Sequence, residues 1–407
     1  MSDTTTDSGT VPRLADEPAV LAAADALAAE LATGAAERDR SGEVPRAALA
    51  ALDASGLLAI TVPREHGGIG GGPVLLAEVV RRLAVADPAV AQGPQAHFLF
   101  VDVLAAIGTD EQRRRLFADV LAGRRIGNAL AERGVAHAQD LKTRLRADGA
   151  DGYRLTGTKG YATGALTAAW IAISALDEDD RLRMALVPRE TPGVTLDEVW
   201  HAMGQRATVS GGVVLDDVAV PATKVLDYAA LFAAPQVVGA RAQLVHAAIE
   251  VGIARAAVDD AAWFLREKAR PFSEAVARGL VTRASDDPYA LHRLGEHGAR
   301  ASAAEALLER AARRLQEIPL RPADDTTAAV GSLAVAEVKA FASEAAVQAA
   351  NDLFAIGGTS ATDRRLGLDR HWRNARTHSV HDPVAWKYHH LGGYLVDGRV
   401  PPNHGQI

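Results

Sequence analysis

The stretch Asp148-Gly149-Ala150-Asp151-Gly152-Tyr153-Arg154-Leu155-Thr156-Gly157-Thr158-Lys159-Gly160-Tyr161-Ala162-Thr163-Gly164 decides the fold class, because it cannot be read as helix. Two Asp-Gly turn signals lead into a short run of Tyr, Leu and Thr that ends on further glycines. The same grammar holds from Ile126 to about Leu226, where short alternating or β-branched runs are separated by turns such as Pro192-Gly193. These roughly one hundred residues are expected to form a β domain.

On both sides of that stretch the period changes to that of a helix. From Asp16 to about Gly123 apolar residues recur at three and four, and Pro45, Pro73 and Pro88 mark helix starts. After Tyr228 the helical period returns, with long segments near 230–268, 286–317 and 325–355 broken at Pro271, Pro319 and Pro322. Long helices joined by short loops pack as a bundle. The expected organisation is therefore α+β: a flexible tail over 1–15, a helical domain over 16–124, a β domain over 125–227, and a helical bundle with a C-terminal tail over 228–407.

That order excludes the strand–helix alternation of a dinucleotide-binding fold. The run Gly67-Gly68-Ile69-Gly70-Gly71-Gly72-Pro73 lacks a strand-to-helix context and puts Pro73 where GxGxxG ends in glycine. It reads as a tight turn between helices rather than a phosphate loop.

The 407 residues are 48% apolar and 23% charged, enough for two or three layers around large cores. Lys and Arg number 44 against 51 Asp and Glu, for a net charge of −7, and the cations are scattered. Nucleic acid is not an expected partner. With no cysteine, disulfides, thiolate nucleophiles and cysteine-ligated metals are excluded, and a reducing cytoplasm is the expected setting. Met1–Val11 has no apolar centre of a secretory signal, and the alanine-rich stretch 19–36 is interrupted by Asp25 and Glu30. It reads as a packed helix, with no membrane association expected.

Three phrases in this frame carry a resemblance: Val62-Pro63-Arg64-Glu65-His66-Gly67-Gly68, Leu155 to Gly164, and Met203-Gly204-Gln205-Arg206-Ala207-Thr208-Val209-Ser210. With the domain order, they resemble the acyl-CoA dehydrogenase superfamily from about residue 16 to 397. That implies an N-terminal helical domain, a middle β-barrel-like domain and a C-terminal four-helix bundle. The phrases Arg270-Pro271-Phe272, Asp287-Pro288-Tyr289 and Asp369 through Lys387 look like the branch of dibenzothiophene and dimethyl sulfone monooxygenases. The resemblance implies a two-component enzyme that takes reduced FMN from a separate flavin reductase. It would use O2, through a flavin hydroperoxide, to oxidise a small substrate, at sulfur or in cousins at nitrogen. A homotetramer is the family's expected assembly.

By the same resemblance, His381 gives or holds the proton that the oxygen chemistry needs, with His97 across the pocket and the Thr163 hydroxyl as a donor. Asn128, Tyr161, Thr163, Trp200 and Ser210 would lie along the flavin ring and its chain. Arg270 would reach the phosphate from a neighbouring subunit, and Gly357-Gly358-Thr359 would offer amides to it. Phe272 is followed by Ser273 instead of the aromatic-glycine pair of FAD users, which favours FMN over FAD. Val101 stands one helical turn after His97, where some sulfur-oxidising relatives have tyrosine. The rival reading is an FAD-dependent acyl-CoA dehydrogenase with Asp382 as its base, one methylene shorter than the usual Glu and followed by Pro383. His378, His381 and Asp382 share a spacing that a metal could use, yet no third ligand stands at a recognisable interval. No metal is expected, and a hydrogen-bonding role suits His378 better.

Overall fold

The computed structural model describes residues 11–137, 140–149 and 151–407. Helices α1 (Glu17–Ala32), α2 (Ala35–Ser41), α3 (Arg46–Ala54), α4 (Pro73–Ala86), α5 (Pro88–Gln92), α6 (Gln95–Ile107) and α7 (Asp110–Leu121) form the N-terminal part. Their starts follow local chemistry: Asp16 caps α1 by accepting from Ala19 N, prolines open α4 and α5, and Thr109 with Gln112 makes a capping box on α7. The glycine run before α4 folds back on its own chain, and a Cβ on Gly68 would lie 2.1 Å from Val62 O. Glycine is required there for close backbone approach, with no room for a phosphate.

The middle part is a sheet of eight strands: β1 (Ile126–Ala129), β2 (Arg144–Ala147), β3 (Gly152–Lys159), β4 (Trp170–Leu176), β5 (Leu182–Pro188), β6 (Val194–Leu196), β7 (Val213–Pro221) and β8 (Val225–Leu226). The order is β6-β7-β3-β2-β4-β5-β8, with β1 paired in parallel to β4. Alternation along β4 splits its residues between two cores. Ile171 and Ile173 join Leu155, Val187, Val213 and Val218 inside the sheet, while Trp170 and Ala172 pack against Phe100, Leu104 and Phe117 of α6 and α7. The window Pro88–Ile107 is long and apolar enough to cross a membrane, but 78% of it is buried inside the protein. It is a core element.

The C-terminal part contains α8 (Val238–Glu267), α9 (Ser273–Ala277), α10 (Pro288–Gln316), α11 (Asp325–Gly357), α12 (Asp369–His378) and α13 (Val384–Asp397). α8 and α11 run side by side in the same direction: Gln243 meets Lys339 near one end and Phe264 meets Gly357 near the other. α10 runs against both, tied by Arg255–Glu305 and His297–Asp352. α12 lies antiparallel to α8, so Asp260 pairs with Arg370 and His371 while Glu250 reaches His378. Helix α4 inserts its apolar face against α8, and one continuous core joins the N-terminal helices to the bundle. The helical, sheet and helical order matches the α+β architecture read from the sequence.

Candidate functional site

Two loops of the sheet meet, and the second of them packs on α12. In the first, residues 160–164 follow β3 and are braced at both ends. Buried Lys159 pairs with Glu132 at 2.8 Å, and the guanidinium of Arg125 donates to Gly164 O at 3.2 Å and to Asp53 at 2.7 Å. The second loop holds Met203 to Ser210. A hydroxyl chain joins them: Thr163 Oγ1 lies 2.7 Å from Ser210 Oγ, which lies 2.9 Å from Thr208 Oγ1, which donates to Gln205 O at 2.8 Å. Trp200 Nε1 donates to the same carbonyl at 2.9 Å, and its ring meets Tyr161 edge to face. Tyr161 is itself 53% exposed. Asn128 N donates to Thr163 O at 3.2 Å.

Backbone strain concentrates here. Tyr161, Gln205 and Val209 adopt φ of 55°, 51° and 40°, left-handed conformations that side chains with a Cβ rarely take. The second loop is pressed onto α12: Asn374 Oδ1 accepts from Gln205 N at 2.6 Å, and a Cβ on Gly204 would lie 1.9 Å from Arg373 O. Only glycine allows that approach. The Gln205 side chain is buried with neither its Nε2 nor its Oε1 paired.

One helical turn beyond Asn374 begins a buried network of charge. His378 Nδ1 lies 2.7 Å from Glu250 Oε1, and His378 Nε2 lies 3.1 Å from His246 Nδ1. The His246 ring in turn lies tilted against His381 with centroids 4.2 Å apart. His381 Nδ1 is 2.8 Å from Asp382 Oδ1, which Lys339 approaches at 3.2 Å, while Lys387 lies 2.9 Å from Oδ2. Burial alone would push the Asp382 carboxyl up, but Lys339, the His381 hydrogen bond and Lys387 hold it far below the usual carboxylate range. Burial pushes His381 down, partly offset by Asp382, and pushes His246 well down, reinforced by the charges of His381 and Lys339. The His246 and His381 rings are therefore mainly neutral at pH 7. In neutral His381 the carboxylate claims the Nδ1 proton and Nε2 keeps its lone pair. With 46% of its side chain exposed, His381 is the network's open end.

His97 sits elsewhere in this scheme. It is fully buried, with Nε2 2.9 Å from Leu58 O and Nδ1 accepting from Ile126 N at 3.2 Å. Both nitrogens are spent on backbone, and burial lowers its pKa to about 4. Its visible work is to pin the start of β1, two residues before Asn128. Val101 lies wholly in the core beside Phe100. Arg270 is exposed just past α8, and Gly358 and Thr359 are exposed just past α11. The packing of Phe264 on Gly357 puts them at one end of the bundle. His246 is eighteen residues up α8 from Phe264, about 27 Å along the axis. Within one chain these groups do not converge on the histidines. Among the described residues no group of three or more His, Asp or Glu is placed to hold a metal ion.

Several members of the network escaped the sequence reading: Gln205, Gln243, His246, Glu250, Lys339, Asn374 and Lys387. A signal for three of them exists. Gln243, His246 and Glu250 stand at i, i+3 and i+7 in α8, a polar stripe on a helix whose other faces there are apolar and buried.

Comparisons with known proteins identify the family and its relatives. The chain matches the profiles described as "Acyl-CoA dehydrogenase, N-terminal domain" over 17–124, "middle domain" over 128–218 and "C-terminal domain" over 244–386. It is 33% identical to the dibenzothiophene monooxygenase of Rhodococcus erythropolis over 96% of each chain. It is 32% identical to the "Probable FMNH2-dependent monooxygenase SfnC" of Pseudomonas putida, over 94% of this chain and 95% of that one. The crystal structure of FMN-bound TdsC from Paenibacillus sp. A11-2 superimposes with a TM-score of 0.90 at 29% identity, covering 95% of this chain and 100% of the other.

Proposed function

Because this chain belongs to the acyl-CoA dehydrogenase family, and its near relatives in that family are monooxygenases, we propose that it is an FMN-dependent monooxygenase acting on a small sulfur compound. The observation that carries the choice is the state of Asp382. A dehydrogenase of this family needs a carboxylate free to take a proton beside a carbonyl. Asp382 is instead engaged by Lys339, Lys387 and His381, and a carboxylate so held is a poor base. What the site presents at this position is the His381 imidazole.

The donor set of the two sheet loops fits an isoalloxazine ring. Tyr161 and Trp200 supply an aromatic edge, and Thr163 and Ser210 supply hydroxyls. Reduced FMN, when bound, supplies the electrons that activate O2 for transfer of one oxygen atom to the substrate. The chain's own contribution is to orient the ring and to manage one proton at His381 Nε2. Its lowered pKa keeps that nitrogen a neutral acceptor at rest, and Asp382 faces the imidazolium when it forms. Once charged, it gives the proton back.

A separate reductase supplying reduced FMN, a cytoplasmic setting and a homotetramer complete the reading. The separation of Arg270 and Gly357–Thr359 from the histidines supports the tetramer, since a neighbouring copy would bring the phosphate-binding end to this ring. To test the function, protein loaded with oxidised FMN is mixed anaerobically with a series of acyl-CoA thioesters. The flavin absorbance should stay unchanged and should bleach only with an external reductase and NADH. Direct bleaching by an acyl-CoA would restore the dehydrogenase reading.

A further inference from the structure

The buried half of the histidine network makes no hydrogen bond to the sheet loops and meets the open end only where His246 lies against His381. Glu250 is completely buried on α8, with Oε1 on His378 and Oε2 without a partner. An unpaired carboxylate oxygen in the core is costly, so the hydrogen bond to His378 has a specific task. A carboxylate only accepts, hence the proton of that bond sits on His378 Nδ1. If His378 carries that proton alone, its Nε2 offers a lone pair, and His246 meets it with a proton on Nδ1. One carboxylate thus dictates the tautomer of two successive rings.

The second ring is the one against which His381 lies, tilted by 33° with centroids 4.2 Å apart. The groups facing this contact are Gln243, His246 and Glu250 from α8, His378 from α12, Asp382 beside His381, Lys339 from α11 and Lys387 from α13. Among these the permanent charges balance, Glu250 and Asp382 against Lys339 and Lys387, when every imidazole is neutral. A proton added to His246 would place a cation against the face of His381 and oppose proton uptake there.

We propose that Glu250 and His378 are positioning residues for His381: they hold His246 as a neutral Nδ1–H ring, in the plane against which His381 takes up and releases its proton. The inference rests on the oxygenase reading for its consequence but not for its geometry. Neutral histidine in water prefers the proton on Nε2, so the tautomer at His246 is one the fold must impose. A ring that merely filled space would have no fixed tautomer.

The test uses 15N-histidine-labelled protein as purified, with the His246 signal identified by its loss in His246→Gln. In the wild type, Nδ1 should carry the proton and Nε2 the lone pair. Glu250→Gln keeps an acceptor oxygen and should preserve this pattern, whereas Glu250→Ala should move the His246 proton to Nε2. With reduced FMN, O2 and an accepted sulfur substrate, product formed per O2 consumed should fall on the order of tenfold in Glu250→Ala and recover in Glu250→Gln. FMN affinity should be equal in all three. Because the tautomer is read without turnover, its outcome is separate from that of the oxygenase assignment. A wild-type His246 protonated on Nε2 would overturn the proposal. So would Glu250→Ala with the wild-type tautomer or with undiminished product yield.

Discussion

Lys339 on α11 and Asp382 in the turn after α12 pair at 3.2 Å, 43 residues apart in sequence, with side chains only 1% and 5% exposed. This pair locks the turn that carries His381 onto the bundle. Lys387 still faces the other oxygen of Asp382, so Lys339→Met should destabilise the protein by about 1.5–3 kcal/mol, the value of a charged hydrogen bond. Equilibrium urea unfolding checks it, with Asp382→Asn costing more because it leaves both Lys339 and Lys387 without their counter-charge.

The same carboxylate makes stability depend on acid. Its folded pKa lies below the ordinary 3.8, so its contribution is present above that value and is lost progressively as pH falls beneath it. The urea midpoint of the wild type should drop more steeply below pH 3.8 than that of Asp382→Asn.

His97 gives a second acid-sensitive window with the opposite chemistry. Its folded pKa of about 4 lies below the unfolded 6.5, so protonation favours the unfolded chain. Stability tied to His97 should be full above pH 6.5 and should fall by roughly 3 kcal/mol as pH drops from 6.5 to 4. His97→Gln should flatten that window while costing about 1–3 kcal/mol at pH 7, because Leu58 O or Ile126 N loses its partner. Denaturation midpoints across pH measure both effects.

The architecture was legible because its signals are local. Helical period, Asp-Gly turns and the prolines at 45, 73 and 88 each act within a few residues, and the phrases around Tyr161–Thr163 and Gln205–Ser210 bring their own loops with them. His381 and Asp382 are neighbours in the chain and could be read together. The rest of the network could not: His246 and His378 are 132 residues apart and Glu250 and His378 are 128 apart, joined only by the antiparallel packing of α8 and α12. His97 shows the converse. Its place in a helix beside the β domain is readable, but that both ring nitrogens bond to backbone depends on how the turn 57–59 and strand β1 close around it.

Thr163→Val removes the head of the hydroxyl chain that runs through Ser210 and Thr208 to Gln205. Reduced FMN should bind more weakly by about 0.5–1.5 kcal/mol, the net value of one hydrogen bond, with the fold unchanged by circular dichroism. Arg270→Ala should weaken FMN binding by roughly 1.5–3 kcal/mol, the range for a charged hydrogen bond, without altering thermal stability. Flavin titration under anaerobic conditions resolves the two.

The central claim is that His381 directs the oxygen of a flavin reaction into substrate. The direct test is a single turnover under 18O2 with reduced FMN and a sulfur substrate, comparing wild type with His381→Ala and quantifying labelled product and hydrogen peroxide. The wild type should place one labelled oxygen atom in the product. His381→Ala should bind reduced FMN and consume O2 but release peroxide, with labelled product reduced by about 10²–10⁴-fold. Equal yields of labelled product from the two proteins would contradict the account.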